Sequence, residues 1–122
     1  MQTENEDVLV VDDDPEIVEL VAFILESEGY RVRTAADGCE GLEAVGRELP
    51  DLILLDIKMP QMDGREFARH FHAEYDGAVP IVVLTAAEDA RRRAEEIGAQ
   101  GWLGKPFSLE ALVATVRQHI GR

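Results

Sequence analysis

Apolar residues fall along this chain in two rhythms. Val8-Leu9-Val10-Val11, Leu52-Ile53-Leu54-Leu55 and residues 79–84 are short continuous apolar runs, the pattern of strands buried on both faces. Between them, apolar positions recur three and four apart. Ile17, Leu20, Val21, Ile24 and Leu25 predict a helix that Asp14 caps, Pro15 opens and Gly29 ends. Arg31–Ala35 reads as a shorter strand near a sheet edge. Leu42, Val45 and Leu49 form the stripe of a second helix, stopped before Pro50. Phe67, Phe71 and Tyr75 stand four apart on a third helix over Gly64–Tyr75. Pro80 lies near the start of the run 79–84, and Thr85 follows that run. Residues 88–97 predict a helix whose apolar face is only Ala90, Ala94 and Ile97, too small an area to hold it firmly. Gly101-Trp102-Leu103-Gly104 marks a fifth strand. Ser108 caps a last helix with Leu109, Leu112, Val113, Val116 and Ile120 inward.

Five strands alternating with five helices across short loops imply a parallel sheet covered on both sides. The chain of 122 residues suits one such domain, expected over residues 7–122 behind a tail at 1–6, with no output domain following. Net charge of −13 argues against direct nucleic-acid binding, which needs clustered cations. No apolar run reaches membrane-spanning length, and the acidic N-terminus lacks the features of a secretory signal. Cys39 is the single cysteine, so no internal disulfide forms and a cytoplasmic location is expected.

Asp12 and Asp13 follow the first strand, Asp56 the third, Thr85 the fourth and Lys105 the fifth. Parallel strands bring their carboxyl ends to one rim, where open α/β sheets bind ligands. Three carboxylates gathered there repel one another, and either a proton or a cation relieves them. Oxygen ligands without cysteine or a histidine pair suit a hard ion, Mg²⁺ above all. A carboxylate nucleophile beside Mg²⁺, a lysine and a hydroxyl is the equipment of phosphoryl transfer.

The motifs Val10-Val11-Asp12-Asp13-Asp14-Pro15, Leu55-Asp56-Ile57-Lys58-Met59-Pro60-Gln61-Met62-Asp63-Gly64, Leu84-Thr85-Ala86 and Lys105-Pro106-Phe107 carry a specific resemblance. Over about residues 7–120 the chain resembles the receiver domain of two-component response regulators. The resemblance implies a flavodoxin-like doubly wound (βα)5 fold with a five-stranded parallel sheet. It implies that Asp56 accepts a phosphoryl group from the phosphohistidine of a histidine kinase or histidine phosphotransfer protein. Asp12, Asp13, Asp56 and the backbone carbonyl of Lys58 would hold Mg²⁺, and Thr85 and Lys105 would bind the phosphoryl oxygens. The Lys105-Pro106 bond would be cis. On phosphorylation Thr85 would move toward the phosphoryl group and Trp102 would turn inward. The output would be a protein effector or a further domain, and self-association through the fourth helix, fifth strand and fifth helix would be open to it. The chain would be a signalling module, catalysing only its own phosphorylation and dephosphorylation. It departs from the family in having Trp102 where Tyr or Phe is usual. Lys58 and Ala87 occupy positions that tune phosphoryl lifetime.

Rival readings meet obstacles in the residues. A Mg²⁺-dependent phosphatase with an aspartyl nucleophile needs a second acid two residues on, where Lys58 stands. A flavin-mononucleotide site needs amides after the first strand, where three aspartates would repel phosphate. A receiver that binds partners without phosphate would not need all five residues. His70 and His72 do not share a helix face and form no metal pair. His119 is expected to be solvated, and Arg91-Arg92-Arg93 to be a solvated helix face or a partner contact.

Overall fold

Burial accounts for the central strands. Every residue of β1 (Asp7–Val11) and β3 (Leu52–Asp56) is buried, as continuous apolar runs require. This computed structural model describes residues 6–59 and 62–120. The expected tail lies outside them apart from Glu6, as do Pro60 and Gln61 of the second motif. The remaining elements are α1 (Pro15–Ser27), β2 (Arg31–Ala35), α2 (Gly38–Arg47), α3 (Gly64–Tyr75), β4 (Ile81–Ala86), α4 (Ala87–Ile97), β5 (Gly101–Lys105) and α5 (Leu109–Ile120). All strand pairs are parallel, in the order β2-β1-β3-β4-β5.

The period of two along each strand divides the core. Leu9, Val11, Ile53, Leu55, Ile81 and Val83 face α2, α3 and α4, where Phe67 and Phe71 are fully buried. Val8, Val10, Leu52, Leu54, Val82 and Leu84 face α1 and α5. The fold is the doubly wound α/β sheet that the alternation implies. Asp14, Asp37 and Asp63 cap α1, α2 and α3 through their side chains, and the Ser108 hydroxyl accepts the Ala111 N–H at 3.0 Å.

Several expectations need correcting. Leu49 is exposed, because α2 ends at Arg47 and the backbone is already extended at Glu48, so the helical period never reaches it. Leu20 and Leu109 are also exposed: Leu20 flanks the buried stripe of Val21, Ile24 and Leu25, and Leu109 opens α5 beyond the end of β5. β4 begins at Ile81, and Thr85 lies within it. His119 is half-buried: its Nδ1 lies 2.9 Å from the Thr115 carbonyl, and its ring occupies the space a side chain at Gly101 would need.

At the rim opposite the strand carboxyl ends, Asp7 is buried. Arg33 donates to it from Nε at 3.0 Å and from a terminal nitrogen at 2.7 Å. The same guanidinium reaches the carbonyls of Ala44 and Glu48, tying β1 and β2 to the end of α2.

Candidate functional site

Asp12 leaves β1 and is buried. Its Oδ1 accepts the Asp14 N–H at 3.0 Å, turning the chain into α1, and its Oδ2 accepts from Lys105 Nζ at 2.9 Å. Asp13, next along, is exposed. Asp56 closes β3 and is only 6% exposed. Its register partner is Leu84, so buried Thr85 stands one step further along the neighbouring strand. Thr85 pairs with Gly104 and Ala86 with Lys105, which brings the lysine to the same rim. Lys105 Nζ lies 3.7 Å from Asp56 Oδ1. The Lys105-Pro106 bond is cis.

Carboxylate oxygens of Asp12, Asp13 and Asp56 lie within 4.8 Å of one another. Burial and the Asp12 charge push the Asp56 carboxyl up to about 6; Lys105 opposes the rise, Asp13 adds to it, and a backbone hydrogen bond from Lys58 opposes it. Burial pulls Lys105 down, but its hydrogen bond to Asp12 and the charges of Asp56, Asp12 and Asp14 outweigh that and hold it above its ordinary value. Three acidic groups thus face one cation. The uncompensated charge and the all-oxygen donor set fit a hard divalent cation.

Two glycines serve the site in ways that sequence patterning did not reveal. A Cβ on Gly64 would lie 2.5 Å from the Asp56 carbonyl oxygen, and the Gly64 N–H bonds to the Ile57 carbonyl at 2.9 Å. A Cβ on Gly104 would lie 2.6 Å from Ala87 Cα, so the start of α4 rests directly on β5. Their only signal in the sequence is glycine at the close of a motif or strand.

The other expected residues are placed as follows. Lys58 stands two residues past Asp56 with its side chain exposed. Trp102 is 46% exposed and points outward, with the Arg91 guanidinium 5.9 Å from its ring centroid. α4 buries Ala90, Ala94 and Ile97 as expected, and His72 Nε2 lies 2.9 Å from the Ile97 carbonyl at its end. Arg91 and Arg92 are exposed, whereas Arg93 is turned in.

A doubly wound parallel sheet that gathers three carboxylates, a threonine and a lysine at its strand ends has the donor set that a cation and a phosphoryl group require. Residues 8–117 match the response regulator receiver domain, and the chain belongs to that family, the phosphoacceptor signalling switches of two-component systems. It is 40% identical to the DNA-binding response regulator MtrA of Mycolicibacterium smegmatis, covering all of this chain and 54% of that protein. It is 41% identical to the response regulator MprA of Mycobacterium leprae, over 94% of this chain and 51% of that one. The chain therefore spans about half the length of these relatives. Among solved structures, the chemotaxis protein CheY4 of Vibrio cholerae is 36% identical with a TM-score of 0.85, covering 94% of this chain and 98% of that one. A putative response regulator from Chloroflexus aurantiacus is 33% identical with a TM-score of 0.89, over 97% of this chain and 99% of that one.

Proposed function

We propose that Asp56 is the phosphoacceptor, taking its phosphoryl group from the phosphohistidine of a histidine kinase or histidine phosphotransfer protein. An Asp56 carboxylate oxygen attacks phosphorus. The new O–P bond forms as the N–P bond breaks, and the imidazole nitrogen keeps the electron pair and takes a proton from solvent. Asp12, Asp13, Asp56 and the Lys58 carbonyl are the residues to hold Mg²⁺, which when bound neutralises charge on the phosphoryl oxygens. Lys105 exchanges its bond to Asp12 for one to a phosphoryl oxygen, and the Thr85 hydroxyl donates to another. The observation that carries this reading is the buried Asp56 carboxyl, pushed up to about 6, with Lys105 Nζ 3.7 Å away.

The output is a change of conformation. Thr85 moves toward the phosphoryl group, Trp102 turns inward from its exposed position, and the thinly anchored α4 shifts. Taking such an equilibrium from 1:99 to 99:1 needs roughly 5.5 kcal/mol of differential stabilisation. New charge-assisted hydrogen bonds to the phosphoryl group supply much of it. Residues 7–122 act as the receiver, with a protein effector or an output domain downstream and α4, β5 and α5 as a surface for a second copy. The net charge of −13 disfavours direct nucleic-acid binding by this domain, and its only catalysis is of its own phosphorylation and dephosphorylation. Among the described residues no helix is long and apolar enough to cross a membrane, and a kinase donor places the domain in the cytoplasm.

Phosphate incorporation from acetyl phosphate tests the reading. Base-labile labelling that requires Mg²⁺ and vanishes in Asp56→Asn is expected. No labelling from acetyl phosphate or from a phosphohistidine donor would overturn it.

A further inference from the structure

The two ends of α4 are held differently. No loop precedes the helix, since Ala86 closes β4 and Ala87 opens α4. Its start carries no side-chain cap, whereas Asp14, Asp37 and Asp63 cap α1, α2 and α3. The far end is closed by left-handed Gly98, at φ +70°, and by the Ala99 N–H, which reaches the Ala94 carbonyl at 2.9 Å. That end is also tied twice to the rest of the fold. Gln100 pairs with Ile81 of β4, donating its N–H to the Ile81 carbonyl at 2.9 Å and accepting the Ile81 N–H on its side-chain oxygen at 2.8 Å. His72 of α3 has its Nε2 2.9 Å from the Ile97 carbonyl. Among the described residues, this is the one side-chain hydrogen bond between α3 and α4. A carbonyl only accepts, so Nε2 carries the proton, and Nδ1 has no hydrogen-bond partner to turn the ring elsewhere.

Between its ends α4 is braced against itself. Asp89 and Arg92 pair at 2.6 Å, Arg91 and Glu95 at 3.2 Å, and Glu96 pairs with both Arg92 and Arg93 at 3.4 Å. Every ion pair of the helix among the described residues is thus internal, three or four positions apart, which stiffens a helix without anchoring it to another element. Beside His72, a groove of about 650 Å³ opens between the two helices, lined by Arg65, Ala68 and Arg69 of α3 and by Glu96 and Ile97 of α4. The bond from His72 spans it. A displacement at Thr85 enters Ala87 with no loop to absorb it, and passes into a stiff rod of 11 residues, about 16 Å long. The far end of that rod is the bonded one.

We propose that His72 pins the end of α4 to α3, making Ile97 and Gly98 the hinge on which the helix tilts when its start is displaced. The tilt rests on the phosphoacceptor reading, but the pin is measured without phosphate. With the imidazole neutral, proton–nitrogen NMR should show His72 as the Nε2–H tautomer. His72→Phe keeps a ring in place and removes the donor. Hydrogen exchange at the Ala99 and Gln100 amides should then quicken roughly three- to tenfold, the scale of one hydrogen bond, while β1 stays slow. His72→Gln, which retains a donor, should recover part of the protection, and His70→Gln on the exposed face of α3 should change nothing. The opposite tautomer, or exchange unaltered by His72→Phe, overturns the pin. Acetyl phosphate with Mg²⁺ tests the hinge. Amide resonances of the intact sequence should shift most at residues 86–89 and fade toward 97–100, whereas in His72→Phe the shifts should reach 97–100. Labelling of Asp56 with equal shifts at both ends, or a gradient that survives in His72→Phe, overturns the hinge. Failure of every donor to label Asp56 would sink the phosphoacceptor reading instead, and hydrogen exchange would decide the pin by itself.

Discussion

Ionising Asp56 costs the apo protein energy because burial and Asp12 both disfavour the charge. Its carboxyl, ordinarily at 3.8, is raised to about 6 in the folded chain. The resulting contribution to stability is therefore complete below pH 3.8 and is lost as pH climbs through about 6. An uncharged isostere escapes that loss. In chelator, Asp56→Asn should match the parent near pH 3.5 and exceed it by about 3 kcal/mol above pH 7, the equivalent of the shift. Urea unfolding across this range measures the difference, and a gap independent of pH would refute the account. The same energetics favour a cation at the cluster, since a carboxylate destabilised by burial and by a like charge gains most from a positive charge beside it.

Among the elements, α4 is seated by three small or medium side chains, Ala90, Ala94 and Ile97, with its start against Gly104. Gly104→Ala would drive a methyl into Ala87, and overpacking of this kind costs about 1–3 kcal/mol. Hydrogen exchange should accelerate in α4 and stay slow in β1 and β3; uniform acceleration would mean that the helix is not an independent unit. The thin stripe of α4 was readable from Ala90, Ala94 and Ile97 alone, because helical period reports burial directly. The rim residues were readable too, since Asp12, Asp56, Thr85 and Lys105 each sit at the end of a strand in a parallel sheet. Periodicity erred where an element ended early, as at Leu49, or outran its sheet, as at Leu109. It was silent on tertiary pairings that join distant segments, such as Asp7 with Arg33, and on the inward turn of Arg93. Those depend on which helix lies beside which strand, which a local pattern does not encode.

For the whole molecule, charge sets the response to its surroundings. Mg²⁺ that binds the folded state at the three-aspartate cluster adds stability by mass action, about 2.7 kcal/mol at one hundred times its dissociation constant. Thermal unfolding should therefore shift upward with Mg²⁺ in the intact sequence and far less in an Asp12→Asn, Asp13→Asn double variant. An equal rise in both would mean that the ion merely screens the net charge of −13. The sheet that delivers these residues also carries Trp102, the one tryptophan of the chain, on its β5 edge beneath Arg91. Indole emission responds to solvent contact and to a nearby guanidinium, and here both change if the ring turns in. The molecule thus contains its own optical readout, a single indole three residues from Lys105 that reports any such movement with no label attached.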